Sequence, residues 1–193
     1  MMRSIWVMRH GETAWNQGQR LQGQLDSELT VSAKQQLAAL KLPNVTSLNI
    51  LTSTLGRAVQ SAKLIADSHS NSQLLTSSLL NERHFGVLQG KKIELETTCP
   101  QWLQYHQRYS KPMQLEGAES EWQIEQRLYK ARQLITKLCT EERKLLLVVH
   151  GEWWRAFDNL LHGREVWRQG NGIIANGELM RITLSCQNFM IYE

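Results

Sequence analysis

The sequence predicts an α/β fold: a three-layer α/β/α sandwich around a mostly parallel central sheet, made by one domain over residues 1–193. Two short apolar runs, Ile5-Trp6-Val7-Met8 and Leu145-Leu146-Leu147-Val148-Val149, lead into His10-Gly11 and His150-Gly151, as strands buried on both faces and ending at turns do. Helical periodicities lie between them, which gives the alternation of strand and helix that a parallel sheet requires. A chain of 193 residues, 41% of them hydrophobic, can fill one full core and leaves little for a second.

The elements follow in order. The first strand ends at Arg9-His10. Residues 30–41 read as a helix capped by Thr30 or Ser32 and closed near Pro43. Asn49-Ile50-Leu51-Thr52-Ser53 is the next strand, and Ala58, Ala62, Leu64, Ile65 and Ala66 recur after it at roughly helical spacing. Residues 91–116, with Pro100 and Pro112, form an irregular or short-helical excursion expected to cover a site. The clearest helix runs from Glu121 to Leu138, with Ile124, Leu128, Ala131 and Ile135 on one face and Ser120 with Gln123 as a capping box. The chain then enters the Leu145–Val149 strand and delivers His150. A loose alternation from Glu178 to Tyr192 suggests a hairpin turning at Ser185-Cys186-Gln187-Asn188.

Composition removes several function classes. The three cysteines, Cys99, Cys139 and Cys186, have neither disulfide-framework nor zinc-site spacing, which fits a reducing cytoplasm. The amino-terminal apolar stretch is too short for a signal peptide, and no run approaches a membrane span, so a cytoplasmic protein with no membrane partner is expected. The net charge of +4 is spread without a basic run, which argues against nucleic acid and leaves room for a basic pocket that takes an anion.

Arg9-His10-Gly11-Glu12-Thr13 sets a guanidinium and an imidazole at a strand end beside a glycine. An arginine fork binds phosphate bidentately, and a neutral imidazole can attack it, so this edge suits phosphoryl transfer. Arg57, at a helix start, supplies a second cation where backbone N–H groups favour anions. Glu82, in a polar loop, can protonate a leaving oxygen, and His150 can donate to the transferred group. His10, His150 and Glu12 or Glu152 also allow a metal, but no HExxH pattern or aspartate cluster is present and no metal is expected.

Together these segments resemble the histidine phosphatase superfamily, which includes cofactor-dependent phosphoglycerate mutases, fructose-2,6-bisphosphate bisphosphatase and alpha-ribazole phosphatase. The resemblance spans nearly the whole chain. It rests on Arg9-His10-Gly11-Glu12-Thr13, Trp15-Asn16, the loop from Gly18 to Gly23, Asp26-Ser27-Glu28-Leu29-Thr30 (Glu28 where proline is usual), Ser53-Thr54-Leu55-Gly56-Arg57-Ala58, Leu80-Asn81-Glu82-Arg83-His84-Phe85-Gly86, Gly117-Ala118-Glu119-Ser120 and Val148-Val149-His150-Gly151. It implies a phosphoglycerate mutase-like fold with His10 as nucleophile, Glu82 as proton donor, and Arg9, Arg57 and His150 around the phosphate. Asn16, Gln22, Gly23 and Arg83 are implied near the substrate, with no metal and no organic cofactor. The implied activity is hydrolysis of a small phosphorylated metabolite. A phosphoglycerate mutase, a protein phosphohistidine phosphatase and a non-catalytic phospholigand-binding module remain alternatives. The substrate and the oligomeric state are not specified by these residues.

Overall fold

Alternate side chains of the central strands enter two different cores, which fixes the layers. The computed structural model describes residues 2–43, 45–95 and 98–185. Leu145, Leu147 and Val149 of strand β4 (Lys144–Val149) join one cluster, while Leu146 and Val148 join another on the opposite face. Strand β1 (Met2–Arg9) divides in the same way, with Ile5 and Val7 on one side and Met8 on the other. This is the period-two alternation of a sheet covered on both faces.

Helices α2 (Val31–Ala39) and α3 (Gly56–Asp67) cover the Met8 face through Leu37, Ala58, Ala62 and Ile65. Helices α5 (Glu121–Leu138) and α6 (Gly151–Leu161) cover the other, where Trp153 and Phe157 stack 4.8 Å apart. Among the described residues one five-stranded sheet has the order β3-β2-β4-β1-β5, with β2 at Leu48–Thr52, β3 at Ser72–Thr76 and β5 at Leu179–Ser185. Its first four strands are parallel, and β5 pairs antiparallel with β1 at the edge. The carboxyl ends of four parallel strands therefore share one rim.

Thr30 caps α2, and Ser120 with Gln123 closes the capping box of α5, as their side chains dictate. Sequence periodicity missed α6 because the entire helix is buried. Its polar residues are inside too, so no solvent stripe marks it. It also missed β3, which is short and half-polar, and the one-turn helix α1 (Ala14–Gln17). The proposed turn at 185–188 and the strand beyond it lie outside the described residues, apart from Ser185 at the end of β5.

The 91–116 excursion contains a short helix, α4 (Pro100–His106), started by Pro100 at its first position. Trp102, Tyr105, Met113 and Leu115 form a third cluster with Leu21, Phe85 and Leu88, so the excursion has its own small core above the rim. Gly86 anchors that junction at φ +54°, where a Cβ would lie 1.9 Å from the Glu116 carbonyl oxygen. Gly86→Ala combines a left-handed backbone penalty of about 1–2 kcal/mol with that clash, and is expected to lower Tm by roughly 4 °C or more in a thermal melt. A melt unchanged from wild type would mean that this junction contributes nothing to stability.

Candidate active site

The rim collects chemistry from all four parallel strands. β1 ends in Arg9 and leads to His10; β4 leads to His150; β2 leads through Ser53 to Arg57 on α3; the loop after β3 brings Glu82. Arg9, His10, Arg57 and Glu82 line one cleft of about 120 Å³, together with Asn16, Gln22 and Gly23. A larger open groove of about 620 Å³ runs past Asp26, Glu28, Val59 and Lys63 on the outer side of Arg57, but neither His10 nor His150 lines it.

His10 is fixed in a single tautomer by its neighbours. Its Nδ1 lies 2.8 Å from the Gly11 carbonyl oxygen, which can only accept, so Nδ1 carries the proton. The Nε2 lone pair then accepts from Arg57 Nε at 3.1 Å. Burial, followed by the charges of Arg57 and Arg9, pushes the His10 pKa well below 6.5 and keeps the ring neutral. Nucleophilic capacity is thereby preserved near neutral pH.

His150 stands beside it, with ring centroids 5.1 Å apart. Ser53 Oγ accepts from Leu55 N at 3.2 Å and lies 2.7 Å from His150 Nε2. In the tautomer where Nε2 accepts the Ser53 proton, His150 carries its own on Nδ1, a buried atom with no partner. Burial, with Arg57, His10 and Arg9, lowers this pKa as well. Arg9 Nε is likewise buried and unpartnered, while one of its terminal nitrogens donates to the Ile174 carbonyl at 3.1 Å. Two unsatisfied donors beside a neutral imidazole make a receptor for an anion. Gly151 lets the Arg9 guanidinium lie against the start of α6, since a Cβ there would come within 3.3 Å of Arg9 Cζ.

Arg57 is held by protein acceptors. It donates to the carbonyls of Leu25 and Gly23, each at 2.7 Å, and to Asp26 Oδ1 at 3.1 Å. Asp26 also accepts from the backbone N–H groups of Gly56 and Arg57, so the helix start that seemed available to a substrate anion is filled by the protein's own carboxylate.

Glu82 accepts from the backbone N–H groups of Arg83 and Trp153 at 2.9 Å and of Glu152 at 3.2 Å, which seats it at the start of α6. Those bonds favour the anion, yet burial first, and then the Glu152 charge, raise its pKa overall. Glu152 is itself buried and also lines the cleft. Burial opposes its charge, but Arg108, Arg155 and a Tyr109 hydrogen bond outweigh it and hold the carboxyl at about 2.

Of the substrate-binding candidates, Asn16 Oδ1 accepts from Thr13 N and Oγ1 at the cap of α1, and its NH2 group takes no part in that cap. Gln22 donates to Thr13 Oγ1 at 2.9 Å and leaves a buried Oε1 unpartnered. Arg83 is a correction: it is absent from the cleft lining, because its guanidinium is drawn to Glu121 at 2.6 Å and to the Glu119 carbonyl at 3.0 Å. The carboxylates of the metal alternative are also engaged, Glu12 with Gln17 and Glu152 with two arginines. No cluster of three or more metal-ligating side chains occurs among the described residues, nor is any helix among them long and apolar enough to cross a membrane.

Sequence reasoning gave no role to Ser53, Asp26 or Ser61, whose Oγ accepts from Gly11 N at 3.0 Å. Ser53 was open to discovery as the last residue of an expected strand that ends at the same rim. Asp26 lies in the 26–30 motif with no role attached to it, and Ser61 sits one helical turn after Arg57 on α3.

Residues 5–192 match the family model described as histidine phosphatase superfamily (branch 1). The chain is 34% identical over 153 residues, 78% of its length, to a Yersinia pestis protein named "Probable phosphoglycerate mutase GpmB", of which 70% is covered. Its fold is similar to that of mycobacterial glucosyl-3-phosphoglycerate phosphatase, with a TM-score of 0.79 at 22% identity, covering 100% of this chain and 97% of that one. It is also similar to phosphoglycerate mutase from Bacillus anthracis, with a TM-score of 0.79 at 19% identity, covering 99% and 92%. With the family model matched over nearly its full length, the chain belongs to the histidine phosphatase superfamily.

Proposed function

We propose that this chain is a metal-independent phosphomonoester hydrolase acting on a small phosphorylated metabolite through a phosphohistidine. The observation that carries the reading is the neutral His10, whose Nε2 lone pair faces Arg57 in a cleft that also contains Glu82. In the first step Nε2 bonds to phosphorus as the bond to the ester oxygen breaks, and Glu82 gives that oxygen its proton. In the second, water attacks phosphorus, its proton passes to Glu82 and the N–P bond breaks. Arg9, Arg57 and His150 Nδ1–H stabilise the charge spread over the equatorial oxygens.

The relative named as a mutase raises the alternative of phosphoryl return to the product. Mutase chemistry needs contacts that retain a dephosphorylated glycerate. The excursion over 91–116 has a single arginine, Arg108, and its Nε is paired with Glu152 at 3.0 Å. Brief incubation with a phosphate ester is expected to leave an acid-labile, base-stable phosphate on His10, absent from His10→Ala, and steady turnover should release inorganic phosphate without a bisphosphate primer. Primer-dependent interconversion of 2- and 3-phosphoglycerate with negligible phosphate release would establish the mutase instead.

Glu82→Gln should slow an alkyl phosphate by about 10²–10⁴-fold and p-nitrophenyl phosphate far less, because nitrophenolate leaves without a proton. Equal losses on both substrates would remove the acid role.

The protonation states also set the acid response. Below the ordinary histidine value of 6.5, the unfolded chain takes up protons that native His10 and His150 refuse, so stability is lost as pH falls, by at most about 1.4 kcal/mol per pH unit for each ring. Glu82, shifted upward, opposes this where the native carboxyl binds its proton first. Glu152 adds a further loss between its ordinary 4.5 and about 2. Urea midpoints should therefore fall from pH 7.5 to pH 5, and less so in His150→Asn. A midpoint that rises on acidification would contradict these assignments.

A further inference from the structure

Resting on the phosphohistidine reading above, we infer that Ser53 is a positioning residue whose hydroxyl holds His150 with its proton on Nδ1, the atom that donates to the transferring phosphoryl group. The sheet itself brings the two side chains together across 97 positions of sequence. β2 and β4 pair in parallel, with Thr52 beside Val148, so the residues that follow each strand leave the rim side by side. Thr52 Oγ1 donates to the Val148 carbonyl at 3.2 Å and His10 N to the Val149 carbonyl at 3.0 Å, which ties the ends of β1, β2 and β4 together. Ser53 and His150 are both 0% exposed, and Ser53 Oγ lies 2.7 Å from His150 Nε2. Ser53 is absent from the cleft lining, so its effect on the reaction passes through His150.

The protons of this pair can be arranged in two ways while the ring is neutral. When Ser53 donates to Nε2, its oxygen accepts the Leu55 N–H at 3.2 Å, and the one atom left over is the Nδ1–H. When Nε2 carries the proton instead, Ser53 Oγ must accept from both Nε2 and Leu55 N. Among the described residues its own hydroxyl proton then has no acceptor, and the Nδ1 lone pair is unmet as well. The first arrangement buries one unpaired polar group and the second buries two, so the first is favoured. The imidazolium, with donors on both nitrogens, is opposed by burial and then by the charges of Arg57 and Arg9. His10 reaches the same tautomer through the Gly11 carbonyl at 2.8 Å, but with the opposite consequence. It keeps a lone pair on the nitrogen beside Arg57, whereas His150, its ring centroid 5.1 Å away, keeps a free N–H. A lone pair in that place would repel the equatorial oxygens that an N–H stabilises.

Nitrogen NMR of the full chain, isotope-labelled at histidine, reads the ring protonation directly. Wild-type His150 is expected to show a protonated Nδ1 and an unprotonated Nε2, and Ser53→Ala a mixture of both tautomers. At a concentration of inorganic phosphate that perturbs His10, the His150 Nδ1–H resonance should shift. In single turnover of p-nitrophenyl phosphate, Ser53→Ala should slow phosphorylation of His10 by about two- to tenfold, the worth of one hydrogen bond, and should add no further loss in a His150→Ala background. A proton on Nε2 in the wild-type chain would overturn the inference, and that measurement needs no variant to fold. An Nδ1–H indifferent to bound phosphate would overturn it too, as would equal slowing by Ser53→Ala in both backgrounds, which a purely structural role produces. Each of these results leaves the hydrolase reading standing. Absence of phosphate from His10, with the tautomer in place, would instead remove that reading and with it the reaction the bond serves.

Discussion

The constraint on which this structure depends is the burial of Arg57. A guanidinium 2% exposed must have its N–H groups met inside the protein, and the chain meets them with the carbonyls of Gly23 and Leu25, the Asp26 carboxylate and the lone pair of His10. That requirement ties the loop after α1 to the start of α3. It also keeps the His10 ring neutral, because a protonated His10 would place one cation against another. Burial and the nearby arginines depress the pKa of both active-site imidazoles, and the same field that keeps them neutral is suited to an incoming phosphate.

The second organising feature is the start of α6. Backbone N–H groups there seat Glu82, and the buried side chain of Glu152 holds Arg108 and Tyr109 from the excursion. Glu82, helix and cover are thus joined through two adjacent carboxylates with opposite electrostatic fates. Glu82, with only backbone donors in direct contact, is shifted upward by burial; Glu152, between two arginines, is driven down to about 2. Environment rather than residue type separates an acid from a fixed charge. The complete burial of α6 follows from this arrangement, since its polar side chains find partners in the excursion and in the 164–168 loop instead of water.

Much of this was legible in the sequence. The apolar runs ending in His10 and His150 located two neighbouring parallel strands, because strands covered on both faces need unbroken hydrophobicity. The capping signals at Thr30 and Ser120 placed two helices because capping is a local bond between a side chain and the next turn. The linear order of Arg9, His10, Arg57, Glu82 and His150 marked out the candidate site, and all but His150 line the cleft, with the His150 ring 5.1 Å from that of His10.

Tertiary structure decided the rest. Only the strand order β3-β2-β4-β1 brings residues 9, 57, 82 and 150 to one rim, and only the fold turns Arg83 away toward Glu121 while its neighbour Glu82 faces the cleft. The roles of Asp26, Ser53 and Glu152 depend on partners 31, 97 and 44 residues distant in the chain. The sequence by itself determined the amphipathic and capped helices, the fully apolar strands and the candidate side chains, since periodicity, capping and residue chemistry act over a few neighbouring positions. Which side chains meet, which proton sits on which nitrogen and which carboxyl stays charged were decided by tertiary structure, because burial and Coulomb interaction depend on distance in space and not on separation along the chain.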